Sequence, residues 1–540
     1  MINSQIQNQP VYKTQNLYEK KVQANNTNTS DTDVKTAIFY INDIHGQMSK
    51  LDKIKYASDC FSKAYQNDKS VDTLKLSGGD IKIGQEESKN NIMVEFLNMI
   101  GIDYSVLGNH EFDCGVSALA KHISKAKFKF IASNLNLNGN KPLQEAFNSK
   151  KLVESDVITQ NGHSYGIIGA VPVDIEKRLS DKKLLEGVKV MDLEKTAVKL
   201  QEEIDKFQKK GINKIILTSH IGYENDLKLA AMLSGVDIIV GGHSHTKVEG
   251  LEGDKNIVES KSGEPVLVLQ TGKDGENVGI LNAEFDKDGI IKSANNVLLQ
   301  SKEFPKDPAI DALKDKYLGK SINIGTIKET CDPQNINRTE NPLTNLMTDG
   351  MRMKSGAQVA LINSRNIRGM LEKGAVTNRN IQELSPFKNK LYKVEISEKD
   401  LIDSLKVSAQ SIIDPDCRPG LMQVSGLKYT VNMFKEIKDV SLVNADGSLT
   451  PIDVNNPNPN NKITAVYDEF LFKGKEGYSS LKDKKVLEEI SWDKPDAAIE
   501  FIQKKFNGKE FELKPDGRIK VEANVEEKPK SSLAEKLIKK

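Results

Sequence analysis

Short apolar runs alternate with amphipathic segments through the first half of the chain, and this pattern predicts an α/β arrangement. Apolar, β-prone runs predict strands at residues 36–41, 73–76, 104–107, 128–133, 165–170, 214–218 and 236–240. Apolar positions at helical spacing predict helices at residues 49–68, 91–100, 198–208 and 227–233. Strands that alternate with helices favour parallel sheets covered by helices.

The pattern changes after residue 285. We predict a helix at residues 307–316 that links two halves, then strands at residues 359–362, 392–396, 423–431 and 463–467 and a helix at 398–409. A chain of 540 residues is too long for a single core, so two domains are expected. Residues 1–34 are polar and lack apolar periodicity, and residues 521–540 are rich in Glu and Lys, which predicts a disordered leader and a frayed tail.

Composition narrows the possible functions. The formal net charge of +1 argues against a nucleic-acid binder, which would carry a basic excess. The chain has no run of about 18 apolar residues, so no transmembrane helix is expected. The four cysteines are scattered and form no CxxC pair, which gives no sign of a disulfide framework. No secretory signal pattern opens the sequence, and this favours a cytoplasmic location.

Histidines mark the candidate chemistry. The chain has seven, and none follows His245, so a histidine-based metal site must lie in the first half. His122 and His163 have no acidic or Gly-rich context, and we predict ordinary surface or capping roles for both. The other five histidines come just after predicted strands, and so do two aspartates and one asparagine. Together these eight residues are Asp43, His45, Asp80, Asn109, His110, His220, His243 and His245.

Side chains at the carboxyl ends of strands gather at one edge of a sheet, so these residues are expected to form one site. Carboxylate, imidazole and amide ligands suit borderline divalent ions such as zinc, manganese, cobalt or iron. Setting His110 aside, seven potential ligands exceed the needs of one tetrahedral ion, and two ions sharing a carboxylate fit the number. Two metals about 3.5–4 Å apart can clamp a phosphoryl group, which points to phosphate-ester hydrolysis.

His110 has a separate role in this prediction. An imidazole titrates near physiological pH and can exchange protons with a substrate. Asp113 follows three residues later and could hold the His110 ring in one orientation.

The motifs that carry these residues resemble those of the calcineurin-like metallophosphoesterases. They are Asp-x-His at 43–45, Gly-Gly-Asp at 78–80, Gly-Asn-His-Glu at 108–111, a lone histidine at 220 and Gly-His-x-His at 242–245. Gly-Asn-His-Glu-Phe-Asp at 108–113, joined to the second half, narrows the resemblance to the 5′-nucleotidase family. That family includes UDP-sugar hydrolases and 2′,3′-cyclic-nucleotide phosphodiesterases.

The resemblance implies a domain plan. Residues 35–305 would form a four-layer metallophosphoesterase β-sandwich flanked by helices, and residues 306–325 would form a linker helix. Residues 326–520 would form a smaller α/β substrate-binding domain of the 5′-nucleotidase type.

The resemblance also implies roles for individual residues. One ion would be held by Asp43, His45, Asp80 and His245. The other would be held by Asp80, Asn109, His220 and His243, with Asp80 bridging. His110 would face the phosphate and stabilise the transition state, oriented by Asp113, whereas Glu111 is expected to be structural.

The second half resembles the nucleotide-binding domain of that family. The matching positions are Arg338, Asn363, Arg368, Phe387, Phe470 and Glu476. Phe387 and Phe470 would sandwich the base, and Arg368 would pair with phosphate or carboxylate oxygens. Without the resemblance, both phenylalanines would be interpreted as core residues.

Several positions depart from the family pattern. Three glycines of its arginine motif are replaced by Ser364, Arg365 and Asn366. In the Gly-Lys-Glu-Gly-Tyr segment at 474–478, Glu476 stands where the family has Asp, and the extra methylene moves the carboxylate by about 1.5 Å. Arg365 and Lys475 add charge and bulk. These departures affect nucleoside selectivity, whereas the metal motifs are complete.

The sequence therefore predicts a two-metal hydrolase of phosphate esters, foremost a 5′-nucleotidase acting on small-molecule nucleotides. The alternatives are a 2′,3′-cyclic-nucleotide phosphodiesterase or a UDP-sugar pyrophosphatase with the same metals. A nucleotide-binding module whose catalysis has decayed is a third interpretation. Most members of the family are exported, so a periplasmic or extracellular location is the alternative to the cytoplasm.

Overall fold

A computed structural model describes residues 12–13 and 33–522, apart from residues 180, 254, 306, 386, 388 and 414–418. The chain divides into two compact units, Met1–Lys320 and Ser321–Lys540. Most of the predicted leader and tail lies outside the described residues. Within the leader, Tyr12–Lys13 pair with the strand that begins at Ile291.

Two sheets form the centre of the first unit. An eight-stranded sheet has the order β1-β16-β15-β2-β3-β4-β5-β7, and a six-stranded sheet has the order β13-β14-β12-β11-β9-β8. The strands, including the short β6–β10 pair, are β1 Tyr12–Lys13, β2 Val34–Ile41, β3 Val71–Ser77, β4 Tyr104–Val106, β5 Lys129–Ile131, β6 Leu135–Asn136, β7 Leu152–Val153, β8 Ser155–Gln160, β9 His163–Ala170, β10 Lys189–Val190, β11 Ile215–Ser219, β12 Ile238–Val240, β13 Ile257–Glu259, β14 Pro265–Leu269, β15 Asn277–Phe285 and β16 Ile291–Gln300.

Helices cover the outer face of each sheet. They are α1 Leu51–Tyr65, α2 Glu87–Ile100, α3 Val116–Lys125, α4 Lys141–Asn148, α5 Ile175–Arg178, α6 Leu193–Gln208, α7 Tyr223–Met232 and α8 Pro308–Leu318. Among the described residues, no helix combines the length and the hydropathy needed to cross a bilayer.

The alternation of side chains along β2 explains the layers. Phe39 and Ile41 point into a core shared with helices α1 and α2, whereas Ile38 and Tyr40 point into a core shared with the second sheet. A third core packs the outer face of the second sheet against α6 and α7. Successive strand residues face opposite sides, so one apolar strand supplies two cores. The predicted four-layer α/β sandwich is confirmed.

The strands that precede the candidate ligands are parallel within each sheet. In the first sheet β2, β3 and β4 run in parallel, and in the second sheet β11 and β12 do. Their carboxyl ends therefore open on one edge of each sheet. The predicted strands at 36–41, 73–76, 104–107, 214–218 and 236–240 all correspond to observed strands, with ends shifted by one or two residues.

The described part of the second unit contains three sheets, with the strand orders β19-β17-β27, β21-β18-β25-β20-β26 and β24-β23-β22-β28. Its strands are β17 Asn323–Ile327, β18 Val359–Asn363, β19 Gly374–Thr377, β20 Leu391–Ser397, β21 Met422–Ser425, β22 Leu427–Asn432, β23 Ile437–Val443, β24 Leu449–Ile452, β25 Lys462–Asp468, β26 Lys485–Ile490, β27 Glu510–Phe511 and β28 Ile519–Glu522. Its helices are α9 Pro342–Ser355, α10 Asn378–Leu384, α11 Glu398–Ala409, α12 Glu469–Phe472 and α13 Lys494–Phe506.

Two details differ from the sequence expectations. The helix expected to link the halves, α8, belongs to the first unit, where Lys316 and Tyr317 bind Glu95 of α2. His122 is not a surface residue: it is buried in α3, and its Nδ1 lies 3.0 Å from the Nζ of Lys82. An amphipathic helix buries one face, and the position of His122 places it on that face beside Leu119 and Ile123.

Candidate metal centre and active site

The predicted ligands of the first unit converge in space. Within the described residues there are three groups in which the ligand atoms all lie within 4.8 Å of one another. They are Asp43–His45–His245, His45–Asp80–His110 and Asp80–His220–His243. His45 and Asp80 each belong to two groups, so the three groups are continuous. Side chains from five strand ends and both sheets thus meet in one place.

The spacing of the donor atoms matches a metal site. The Oδ1 of Asp43 lies 3.5 Å from the Nε2 of His45 and 3.5 Å from the Nε2 of His245. The Oδ2 of Asp80 lies 3.7 Å from the Nε2 of His45 and 3.0 Å from the Nε2 of His220. Ligand atoms at about 2.0–2.2 Å from a four-coordinate ion would lie about 3.3–3.6 Å apart. Asp80 approaches imidazoles from both predicted ion sites, as a bridging carboxylate would.

The backbone is held in an unfavourable conformation at most of these residues. Fifteen non-glycine residues of the described chain have a positive φ, and five of them are predicted ligands: Asp43, His45, Asp80, His243 and His245. This conformation is costly for residues with a Cβ, and such strain concentrates at functional sites. Regular strand ends would not aim these side chains inward, so the strained turns create the convergence.

Two glycines allow the loops of the two sheets to approach each other. A Cβ on Gly78 would lie 2.3 Å from the carbonyl oxygen of Gly241, and a Cβ on Gly242 would lie 2.4 Å from that of Gly78. The amide of His243 donates to the Oδ2 of Asp43 across this junction at 2.9 Å. Any larger residue at 78 or 242 would separate the ligands of the two sheets.

Three buried atoms of the cluster find no hydrogen-bond partner of suitable geometry among the described residues, and they are the Oδ1 of Asp43 and the Nε2 atoms of His220 and His243. Asp43 and His220 are fully buried. A buried polar atom without a hydrogen bond is costly and needs another partner. The Asp43 and His220 atoms lie where the other donors converge, which is where a cation would satisfy them.

The charges in the site also favour a cation. Burial opposes ionisation of Asp43, but the neighbouring imidazole of His220, with those of His245 and His45, outweighs it and holds the Asp43 pKa well below its usual range. Burial likewise opposes protonation of His220, but the carboxylates of Asp80 and Asp43 raise its pKa to about 10. Both shifts have the direction expected where buried carboxylates stabilise nearby positive charge. The residues therefore fit divalent metal ions.

His110 and Asp113 form the predicted pair. The Nδ1 of His110 donates to the Oδ2 of Asp113 at 2.8 Å, and this oxygen also accepts the amide of Gly84 at 2.7 Å. The ring of His110 lies 5.3 Å from that of His45, between centroids. Burial disfavours the charged ring, but the carboxylates of Asp113 and Asp80 outweigh this effect and raise the His110 pKa.

Asn109 and His243 also come together as expected. The Oδ1 of Asn109 lies 2.9 Å from the Nδ1 of His243. The other ring nitrogen of His243, Nε2, lies 3.3 Å from the Oδ1 of Asp174, a residue that the sequence analysis did not single out. Hydrogen bonding and charge from His243, together with Arg178, lower the Asp174 pKa.

The partners of two histidine Nδ1 atoms, those of His45 and His220, were also not predicted from the sequence. The Nδ1 of His45 lies 3.0 Å from the Oδ1 of Asp274, and the Nδ1 of His220 donates to the carbonyl of Gly78 at 2.6 Å. Such partners fix the tautomer and the ring orientation of a metal-binding histidine. No motif marks Asp274, which lies 229 residues from His45 in the chain.

Glu111 has a larger role than the sequence indicated. Its carboxylate is buried and accepts four backbone amides, those of Asp80, Ile81, Lys82 and Gly108, at 2.8–3.4 Å. One side chain therefore ties the Gly-Gly-Asp turn to the Gly-Asn-His-Glu turn. The spacing of Asp80 relative to Asn109 and His110 depends on this connection.

The second unit brings some of the predicted substrate residues together. The Nδ2 of Asn363, at the end of β18, lies 3.5 Å from the Oε2 of Glu476, which has a φ of 51°. The guanidinium of Arg368 lies 5.9 Å from the centroid of the Phe387 ring. The two contacts bring together four of the residues named from the sequence, in two pairs.

Arg338 and Phe470 have other contacts. The Nη2 of Arg338 donates to the carbonyl of Ile413, a residue that precedes the undescribed segment 414–418. Phe470 is partly buried and packs against the apolar core around Leu471 and Tyr467. The base-stacking role of Phe470 remains a prediction.

Comparisons with known proteins agree with this geometry. Residues 36–247 match the model of the calcineurin-like phosphoesterase family, and residues 323–483 match that of the 5′-nucleotidase C-terminal domain. The trifunctional nucleotide phosphoesterase protein YfkN of Bacillus subtilis is 25% identical over 79% of this chain, a match that spans 31% of that longer protein. Human 5′-nucleotidase is 27% identical over 83% of this chain and 84% of its own length.

Solved structures show the same architecture. The structure of a 5′-nucleotidase precursor from Thermus thermophilus superposes with a TM-score of 0.66 at 25% identity, and covers 90% of this chain and 99% of that one. The two domains and the donor cluster place the protein in the class of metal-dependent phosphoester hydrolases. Within that class, the chain belongs to the calcineurin-like metallophosphoesterases that carry a 5′-nucleotidase C-terminal domain.

Replacing Glu111 by Gln tests its role as the connection between the two turns. In Gln an NH₂ group replaces one of the two carboxylate oxygens, and an NH₂ group cannot accept a hydrogen bond from a backbone N–H. At least one buried N–H therefore loses its acceptor, which should lower the free energy of unfolding by about 1–3 kcal/mol. We expect a lower melting temperature and a lower content of bound metal by elemental analysis. Glu145→Gln, on the exposed face of α4, is the matched control. Unchanged metal content in folded Glu111→Gln would contradict this role.

Proposed function

We propose that this protein is a two-metal 5′-nucleotidase that releases phosphate from nucleoside monophosphates. The observation that carries the proposal is the convergence of Asp43, His45, Asp80, Asn109, His220, His243 and His245 in a chain that also has a 5′-nucleotidase C-terminal domain. The names of the relatives, which are nucleotide phosphoesterases and 5′-nucleotidases, support the same substrate class.

The ligand sets divide between two ions. Asp43, His45, Asp80 and His245 would hold one, and Asp80, Asn109, His220 and His243 would hold the other. When bound, a pair of divalent ions supplies charge stabilisation for the phosphoryl oxygens and a nucleophilic water at neutral pH. The buried carboxylates of Asp43 and Asp80 keep the ligands oriented toward both positions.

His110 contributes the proton chemistry. Because Asp113 accepts its Nδ1–H, the ring presents Nε2 as the nitrogen that can exchange a proton. An imidazolium there donates to the phosphoryl oxygens and to the leaving ester oxygen, so it neutralises charge that grows in the transition state. Asp113 is a positioning residue because it acts through His110.

The second unit supplies nucleoside recognition in this proposal. Arg368 and Phe387 lie together, and Asn363 lies beside Glu476, so a guanidinium, an aromatic face and hydrogen-bonding groups are all present. A ribose and a base require these chemistries. Arg338 and Phe470 complete the proposed set.

The alternatives use the same metals on another phosphate. Arg365 and Lys475 add positive charge beside the substrate segments, and this favours substrates with more phosphate, such as a sugar nucleotide. A 2′,3′-cyclic nucleotide is the other alternative. A decayed nucleotide-binding module requires the loss of a ligand or of the His110–Asp113 pair, and all of these residues are in place.

Product analysis over a substrate panel tests the proposal directly. A 5′-nucleotidase releases inorganic phosphate from AMP, whereas cleavage of a cyclic nucleotide leaves a nucleoside monophosphate and cleavage of UDP-glucose leaves UMP and glucose 1-phosphate. The metal-stripped protein is reloaded separately with zinc, manganese, cobalt or iron and is given AMP, 2′,3′-cyclic AMP, UDP-glucose and an aryl phosphate. We expect the fastest turnover on AMP. A preference for the cyclic nucleotide or UDP-glucose would establish an alternative instead. Turnover that survives exhaustive metal removal would contradict the two-metal mechanism, and inactivity with every ion would support the binding module.

Replacing His110 by Asn tests the proton role. The amide cannot transfer a proton, so kcat on AMP should fall by about 10²–10⁴ while bound metal stays at the wild-type level. His163→Asn is a matched control, because His163 also pairs with a carboxylate, that of Asp72 at 2.8 Å, but lies outside the donor cluster. Equal kcat in His110→Asn and the wild type would rule out proton transfer by His110.

Replacing Phe470 by Ala tests base stacking. Loss of one stacking ring, worth about 1–3 kcal/mol, should raise KM for AMP by about 5- to 150-fold and leave KM for an aryl phosphate nearly unchanged. Phe434→Ala, which removes an exposed ring from the β22–β23 hairpin, is the control. If both substrates lose affinity equally, Phe470 is a core residue and not a base-binding one.

A further inference from the structure

A buried carboxylate in the second unit joins several segments of the chain. Asp468, the last residue of β25, is 1% exposed. Its Oδ2 accepts the Nδ2 of Asn366 at 3.2 Å, the Nδ2 of Asn389 at 3.4 Å and the Nζ of Lys494 at 2.9 Å. Its Oδ1 caps α12 by accepting the amide of Leu471 at 3.4 Å.

Each of three donors belongs to a segment that carries a proposed substrate residue. Asn366 lies between Asn363 and Arg368, Asn389 follows Phe387 by two residues, and Leu471 follows Phe470 directly. The three segments are far apart in sequence, so their relative positions depend on tertiary contacts such as these.

Other contacts hold the same segments together. The guanidinium of Arg368 lies over the Phe387 ring, and the amide of Glu469 donates to the carbonyl of Lys390 at 2.7 Å. The amide of Arg368 donates to the carbonyl of Leu384 at 2.8 Å. Asp468 is the member of this set whose carboxylate reaches all three segments.

Lys494 gives the carboxylate its charge partner. It is the first residue of α13, its side chain is 1% exposed, and it forms an ion pair with Asp468 at 2.9 Å. Removing two charges from water is costly, so a buried ion pair contributes little net stability. An arrangement of this kind is more useful for fixing geometry than for stabilising the fold, because hydrogen bonds to a charged group are strong and directional.

Asn366 connects this arrangement to a departure noted in the sequence. It stands where the family motif has a glycine, and a glycine has no side-chain donor to reach Asp468. Asn366, which is 6% exposed, therefore gives this segment a side-chain hydrogen bond to Asp468 that a glycine could not make.

We propose that Asp468, paired with Lys494, is a positioning residue that sets the spacing of the nucleoside-binding segments and thereby controls affinity for nucleotides. The inference rests on the proposed function because it takes the nucleoside to be bound by these segments. It adds a determinant of specificity outside the residues that would touch the substrate.

Substitutions on the donor side test the proposal without breaking the buried ion pair. Asn366→Ala and Asn389→Ala each remove one hydrogen bond to Asp468. We expect each to raise KM and the calorimetric Kd for AMP about tenfold, the effect of one weak hydrogen bond to a charged group. The ratio of KM for AMP to KM for an aryl phosphate should rise by the same factor, and kcat on AMP should change much less.

Asn444→Ala is the matched control. Asn444 also donates through its side chain, to Ser448 and Thr450 in the β23–β24 hairpin, and this hairpin carries none of the three segments. Its loss should leave both KM values unchanged. Melting temperatures of all variants confirm that the variants are folded.

The outcomes separate this inference from the proposed function. If folded Asn366→Ala and Asn389→Ala bind AMP as the wild type does, or lose kcat equally on both substrates, the positioning role is wrong. If the wild type binds AMP but hydrolyses no nucleotide, the proposed function is wrong. A higher Kd for AMP in Asn366→Ala and Asn389→Ala would still support the positioning role of Asp468 in that case. Asp468→Asn, which keeps an oxygen acceptor, should lose less AMP affinity than Asp468→Ala.

Discussion

Two buried carboxylates surrounded by imidazoles are the feature on which the first unit depends. Carboxylate oxygens of Asp43 and Asp80 lie 3.0–3.8 Å from the Nε2 atoms of both His45 and His220. Isolated buried charges are expensive, whereas carboxylates that share a cation are not. Positive φ angles at Asp43, His45, Asp80, His243 and His245 mark strained turns, which persist only where the surrounding structure over-determines them.

The sandwich makes this convergence possible. Parallel strands in both sheets deliver their carboxyl ends to the same region, and Gly78 and Gly242 let the two edges touch. Around the ligands lies a set of positioning groups: Glu111 joins two turns, Asp113 orients His110 and Asp274 orients His45. The second unit repeats this strategy on a smaller scale, where the Asp468 carboxylate joins three segments.

Much of the fold and of the donor cluster could be predicted from the sequence because both have local signals. An apolar strand followed by Asp-x-His or Gly-His-x-His is visible in a few residues, and parallel strands bring such ends together. Glu111 and Asp274 could not be assigned in this way. Glu111 accepts a hydrogen bond from the amide of Ile81, 30 residues away, and Asp274 contacts the imidazole of His45, 229 residues away. No local sequence pattern shows where such distant partners lie. Similarly, the burial of His122 depends on which face α3 presents to the core.

The two-metal site is tested most directly by anomalous X-ray scattering from crystals of the protein loaded with manganese or zinc. We expect two peaks about 3.5–4 Å apart, with Asp80 in contact with both. Asp43, His45 and His245 should surround one peak, and Asn109, His220 and His243 should surround the other. A single ion, or ions bound elsewhere while this cluster stays metal-free, would contradict the two-metal site.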